Sequence, residues 1–221
     1  MDFYAFVEGP LVWISILTCL IGCLLRAAMF VSTASKKDKI LGQHFSLKYI
    51  LLTILRWILP VHPDMQKNPV FSILAYVFHV CLVLLPVFVY QHVVMWEVSS
   101  LEWSWATLPA GLSDWMTLLF LAAAVFLLLR RIFTADVRFL STFADYALLV
   151  VTALPFLTGY LSVHGTLPAG TFLGDNMQLI HMLSGELMLI LIPFTKLSHF
   201  VLFFFSRAAT GIEFGRRGYS V

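Results

Sequence analysis

Residues 179–205 read LIHMLSGELMLILIPFTKLSHFVLFFF, an apolar run interrupted only by the charged side chains of Glu186 and Lys196 and a few polar residues. Read as one helix, such a run is long enough to cross the roughly 30 Å hydrocarbon core of a bilayer. The rest of the chain has the same character. Hydrophobic residues make up 60% of it, charged residues 12%, and the mean hydropathy is +0.91, which excludes a soluble domain of this length. The fold class this predicts is an all-α integral membrane protein.

The apolar runs predict five transmembrane helices, at about 10–31, 69–95, 115–131, 143–162 and 177–206, forming a single membrane domain over 1–221. Residues 45–60, FSLKYILLTILRWILP, are too short to cross comfortably and carry Lys48 and Arg56. They predict an amphipathic helix lying in the interface between helices 1 and 2. Its basic face suits either a soluble partner or anionic lipid. Residues 1–9 lack the basic start of a signal peptide, so the first helix is expected to be retained. If five helices alternate from an outer N-terminus, all fourteen lysines and arginines fall on one side. By the positive-inside rule that side, which includes the C-terminus, is the cytoplasm. The outer connection holds Trp96, Trp103, Trp105 and Trp115, an aromatic belt by composition.

Ionisable side chains at membrane depth are expensive, which makes intramembrane histidines functional candidates. His181 and His199 are eighteen residues apart. On one straight helix that is about five turns, placing both on one face roughly 27 Å apart. The helix over 69–95 carries His79 and His92. Their spacing falls about 140° short of four turns, and Pro86 between them offers a kink that changes the twist. A neutral imidazole is a good axial ligand for haem iron. The predicted topology pairs His79 with His199 and His92 with His181, giving two stacked bis-histidine haems. No CxxCH occurs, so these haems are expected to be b-type. Histidines hydrogen-bonded between helices are the structural alternative. Cys19, Cys23 and Cys81 read as small buried core residues.

The pattern His-x3-Gly followed by Pro-Phe-Thr-Lys-Leu-x-His, here His181, Gly185 and 193–199, resembles the cytochrome b (gamma) subunit of respiratory nitrate reductase over nearly the whole chain. The upstream helix, with His79, Pro86 and His92, is more similar to cytochrome b subunits of sulfate-reducer membrane complexes: the high-molecular-weight cytochrome, type-II cytochrome c3 and sulfite-reductase-linked complexes. That resemblance implies an electron-transfer subunit for anaerobic respiration or sulfate reduction, in a bacterial or archaeal cytoplasmic (inner) membrane. It would pass electrons between menaquinol or an outer multihaem cytochrome c and a cytoplasmic iron-sulfur subunit similar to heterodisulfide reductase, alongside other membrane subunits.

Further candidates lie around these histidines. Gly185 would give a porphyrin room. His164, Tyr160 and Gln178 lie toward the outer side, where the resemblance to nitrate reductase gamma subunits implies a quinone site, with surface hydrogen bonding as the alternative, and Lys196 and Arg131 are candidates for haem propionates or for snorkelling side chains. Glu186 could carry protons or be structural. His44 and His62 read as cytoplasmic surface residues. No residue is read as catalytic, and no feature suggests nucleic acid. Two alternatives stay open: a nitrate reductase gamma subunit proper, from whose shorter histidine spacing this chain departs, and a histidine-based transporter, which would be expected to show an internal repeat.

Overall fold

The computed structural model describes residues 2–37, 45–59, 67–215 and 217–218. His44 and His62 lie outside the described residues. Helix α1 (Phe3–Phe6) passes through a π turn at Val7–Leu11 into α2 (Val12–Lys37). Pro10 sits in that turn, where a residue without an N–H favours a shift of the hydrogen-bond ladder. Then come α3 (Leu47–Ile58), α4 (Pro69–Phe88), α5 (Tyr90–Glu97), α6 (Ala110–Phe133), α7 (Ala135–Leu140), α8 (Phe143–His164), α9 (Phe172–Leu191), a 3-10 turn (Lys196–Ser198) and α10 (His199–Gly215). There is no strand among the described residues.

Among the described residues, four helical stretches are long and apolar enough to cross a membrane, or five if α9 and α10 count as one bent span. The chain is therefore a multi-pass membrane protein. The run read above as one fifth helix is two helices bent by 73°. Pro193 lies in the break, where its ring cannot continue the helical ladder. His199 thus begins a new helix, and the five-turn spacing from His181 does not apply.

The chain divides into two compact units, Val70–Gly185 and the combination of Met1–Pro69 with Glu186–Val221. In the contiguous unit, Phe78, Cys81 and Leu85 of α4 meet Phe120, Ala123 and Ala124 of α6 and Phe156 of α8. The alanines let the backbones approach, and Phe120 fills the centre, with ring centroids 4.6 Å from Phe78 and 3.9 Å from Phe156. Cys81 is buried in this cluster, in keeping with its reading as a core residue. At the connection between α6 and α8, Arg130 covers the ring of Phe71 and Arg131 donates to Ser141 Oγ at 3.0 Å. Thr142 and Asp145 form a capping box that starts α8, and Gly165, with φ of +55°, ends it in the left-handed conformation glycine tolerates.

In the other unit, α10 lies against α3 through Gly211 and Gly215, which face Tyr49 and Thr53. The guanidinium of Arg207 covers the Trp57 ring at 4.2 Å. The first long helix grips the break between α9 and α10. Gly22 of α2 makes room for the Pro193 ring, and Arg26 Nε, one turn on, donates to the Pro193 carbonyl at 2.8 Å. Arg26 thus satisfies a carbonyl at the broken helix. Arg26→Met keeps the aliphatic stem but removes the donor. We expect it to cost about 1–3 kcal/mol, read as a lower thermal midpoint in detergent, with Arg26→Lys recovering part of the loss.

Candidate functional site

The contiguous unit carries His79 on α4, His92 on α5, His164 on α8 and His181 on α9. Pro86 lies inside α4, and three residues later Val89 leaves the helix with φ −67° and ψ 134° before α5 begins. This break frees the carbonyls of Pro86, Val87 and Phe88, which would otherwise accept from the amides of Tyr90, Gln91 and His92. All three find donors: His92 Nδ1 reaches Pro86 O at 2.9 Å, Trp105 Nε1 reaches Val87 O at 2.8 Å and Leu108 N reaches Phe88 O at 2.8 Å. Full satisfaction of this kind is what a membrane environment demands of irregular backbone. It also fixes the imidazole of His92.

His181 on α9 is held by α8 in a parallel way. Its Nδ1 lies 2.9 Å from the carbonyl of Pro155 and 3.4 Å from Thr158 Oγ1, and that hydroxyl also lies 3.2 Å from Ser184 Oγ. Gly159 presents bare backbone to the ring: a Cβ there would stand 2.9 Å from His181 Cε1. Glycine is needed at that position for the imidazole to lie where it does.

The His92 and His181 rings have their centroids 6.0 Å apart and their planes 12° from parallel. Each Nδ1 meets a carbonyl, which only accepts, so each Nδ1 carries the proton and each Nε2 carries a lone pair. No hydrogen bond engages either Nε2 among the described residues. Nδ1 bonded to a carbonyl with Nε2 left over is the arrangement metal-binding histidines use. Two imidazoles sharing one metal end to end would have centroids roughly 6 Å apart, from two bonds of about 2 Å and about 1 Å inside each ring.

Among the described residues there is no group of three or more histidine, cysteine or acidic side chains placed to hold a bare metal ion. Two imidazoles alone suit a metal that brings its other ligands with it, as a haem does with its four pyrrole nitrogens. Beside Gly185, one turn from His181, there is open space with no atom within 4 Å of a Cβ position.

His79 and His199 show the same anchoring, with Nδ1 to Ala75 O at 2.7 Å and to Lys196 O at 2.8 Å respectively. They belong to different units, and each is described within its own. His164 differs. Its Nδ1 meets Tyr160 O at 3.0 Å and its Nε2 lies 3.4 Å from Asp114 Oδ2, so both nitrogens are engaged. The Tyr160 ring stacks on it at 4.2 Å, which brings together two of the three residues of the quinone-site hypothesis and adds Asp114. Gln178 is exposed on α9 and makes none of these contacts. Glu186 is buried, and neither of its carboxyl oxygens has a hydrogen-bond partner among the described residues.

Pro155, Thr158, Gly159 and Ser184 escaped the sequence reading, and Trp105 was read only as part of an aromatic belt. A proline four residues before a glycine, in the middle of an apolar span, was the available signal for the first three.

No family model matches the chain, and no solved structure matches it. A protein of Nitratidesulfovibrio vulgaris (strain Hildenborough), named simply "Protein", is 36% identical over 221 residues, spanning 97% of this chain and 95% of the relative. With that identity over nearly the full length of both, the chain belongs to one family with this Nitratidesulfovibrio vulgaris protein.

Proposed function

We propose that the chain is a dihaem cytochrome b, the membrane subunit of a respiratory redox complex. The observation that carries this is the His92–His181 pair: two parallel imidazoles 6.0 Å apart, each tied through Nδ1 to a carbonyl beside a proline, each with Nε2 to spare. His92 and His181 would hold one haem, with Gly185 leaving room beside it, and His79 with His199 the other. When bound, b-type haems supply one-electron carriers. The chain's own residues fix the tautomer and orientation of each ligand and keep the surrounding helices packed.

In this reading the N-terminus is outside, the basic ends face the cytoplasm, and α3 lies in the inner interface against lipid. Electrons pass between menaquinol or an outer multihaem cytochrome c and a cytoplasmic iron-sulfur subunit similar to heterodisulfide reductase. The membership of a sulfate-reducer protein in the family supports this choice over a nitrate reductase gamma subunit. Tyr160, His164 and Asp114 are where a quinol would bind, if this subunit binds one.

The test is a reduced-minus-oxidised spectrum with a pyridine haemochrome count on the purified chain. Two b-type haems per chain are expected. A colourless chain that takes up no hemin overturns the proposal and brings the transporter reading forward.

A further inference from the structure

We propose that Trp105 is a positioning residue for His92: its indole N–H holds open the helix break at Val89, and the Pro86 carbonyl exposed by that break fixes the imidazole. The inference rests on the haem reading for its consequence, but not for its geometry.

Proline alone does not account for the break. The contiguous unit has two prolines inside long helices, and α8 runs through Pro155 without interruption from Phe143 to His164. A proline removes one backbone donor and crowds one carbonyl, which a helix can accommodate as a kink. After Pro86 the helix instead ends at Phe88, with Val89 extended, and the carbonyls of residues 86–88 lose their helical donors. What distinguishes the two places is the number of outside donors: one side chain, His181, reaches the Pro155 carbonyl, whereas residues after Pro86 also receive donors from the segment that follows α5. Residues 98–109 run back along the break, where Trp105 Nε1 takes the Val87 carbonyl and Leu108 N takes that of Phe88, both at 2.8 Å. Without those donors, carbonyls left bare at membrane depth would drive the segment back into a continuous helix. In a continuous helix the Pro86 carbonyl would belong to the Tyr90 amide. The His92 ring would lose its anchor, and the twist between His79 and His92 would change with it. Trp105 therefore acts on the ligand through the backbone, at a distance of thirteen residues in sequence.

Trp105→Phe keeps the aromatic bulk, including the tilted contact with Trp96 at 6.5 Å, and removes only the donor. We expect haem affinity at the His92 site to fall about 10- to 100-fold, the effect of losing support behind a metal ligand. The midpoint potential of that haem should shift while the other stays in place. Trp105→His, which restores a ring N–H, should recover part of the loss. Trp103→Phe, in the same tryptophan cluster, should change nothing.

A second readout needs no haem. In chain labelled with 15N-histidine, the ring shifts of His92 should report a fixed Nδ1–H tautomer, which Trp105→Phe converts to a mixture. Haem binding and tautomer both unmoved by Trp105→Phe overturn the inference even where wild-type chain holds two haems. A wild-type chain that takes no haem sinks the functional proposal instead, and the tautomer then decides this one. If Trp105→Phe does not fold, Pro86→Ala decides: an anchored His92 in that variant supports an outside clamp, and a lost one assigns the break to the proline and overturns the inference.

Discussion

Chain carrying His181→Ala is expected to hold one haem where wild type holds two, and His92→Ala to hold the same single haem. The two rings stand 6.0 Å apart with their Nδ1 atoms spoken for, so under the proposed pairing each replacement would remove one of two ligands from the same iron. The double variant should then be no worse than either single one, since residues acting as a unit are far from additive. A haemochrome count per chain distinguishes the outcomes. If the singles each remove one haem and the double removes both, the histidines serve different sites and the pairing is wrong. His164→Ala provides the contrast. Both of its ring nitrogens are engaged by Tyr160 and Asp114, and its loss should leave the count at two.

The second large effect is expected at Gly211. A Cβ there would lie 2.6 Å from the Tyr49 carbonyl and 2.7 Å from Thr53 Oγ1, and neither can retreat easily, because Thr53 Oγ1 is itself bonded to that carbonyl. Gly215, one turn on, is equally tight against the Tyr49 ring. Gly211→Leu must push α3 away from α10, break the Arg207–Trp57 contact and expose the buried Thr53. Overpacking of this kind typically costs about 1–3 kcal/mol and sometimes more. Limited proteolysis within residues 38–66 should accelerate, and the thermal midpoint in detergent should fall by several degrees. Gly111→Leu, at a position with no neighbour within 4 Å, should be tolerated.

The spanning helices were legible in the sequence because lipid leaves so little choice: a long apolar run in a membrane is a helix. The four candidate ligands were legible for a related reason, since an imidazole at that depth is conspicuous. What the sequence did not disclose were the carbonyls behind them. Pro86 was visible as a kink, but whether a proline kinks a helix or ends it depends on donors brought in from elsewhere, here Trp105 and Leu108. Pro155 went unnoticed because its helix stays intact, and its part is to offer its carbonyl to a side chain 26 residues away. Pro193 was read through, as one residue in a long span. Its neighbours in sequence favour helix, and the groups that settle the break, Gly22 and Arg26, lie at the other end of the chain.

That last contact also sets an order of assembly. Arg26 and Pro193 are 167 residues apart in sequence. At a synthesis rate of about 5–20 residues per second, roughly ten to thirty seconds separate their emergence from the ribosome. The unit Val70–Gly185 is contiguous and can gather its helices as they appear, whereas the other unit draws on both ends of the chain. During that interval the first helix exists without the segment it binds, and the Arg26–Pro193 contact can form only once residue 193 has been made. Translation timing, rather than any property of the finished protein, then decides how long this half remains open to mispairing.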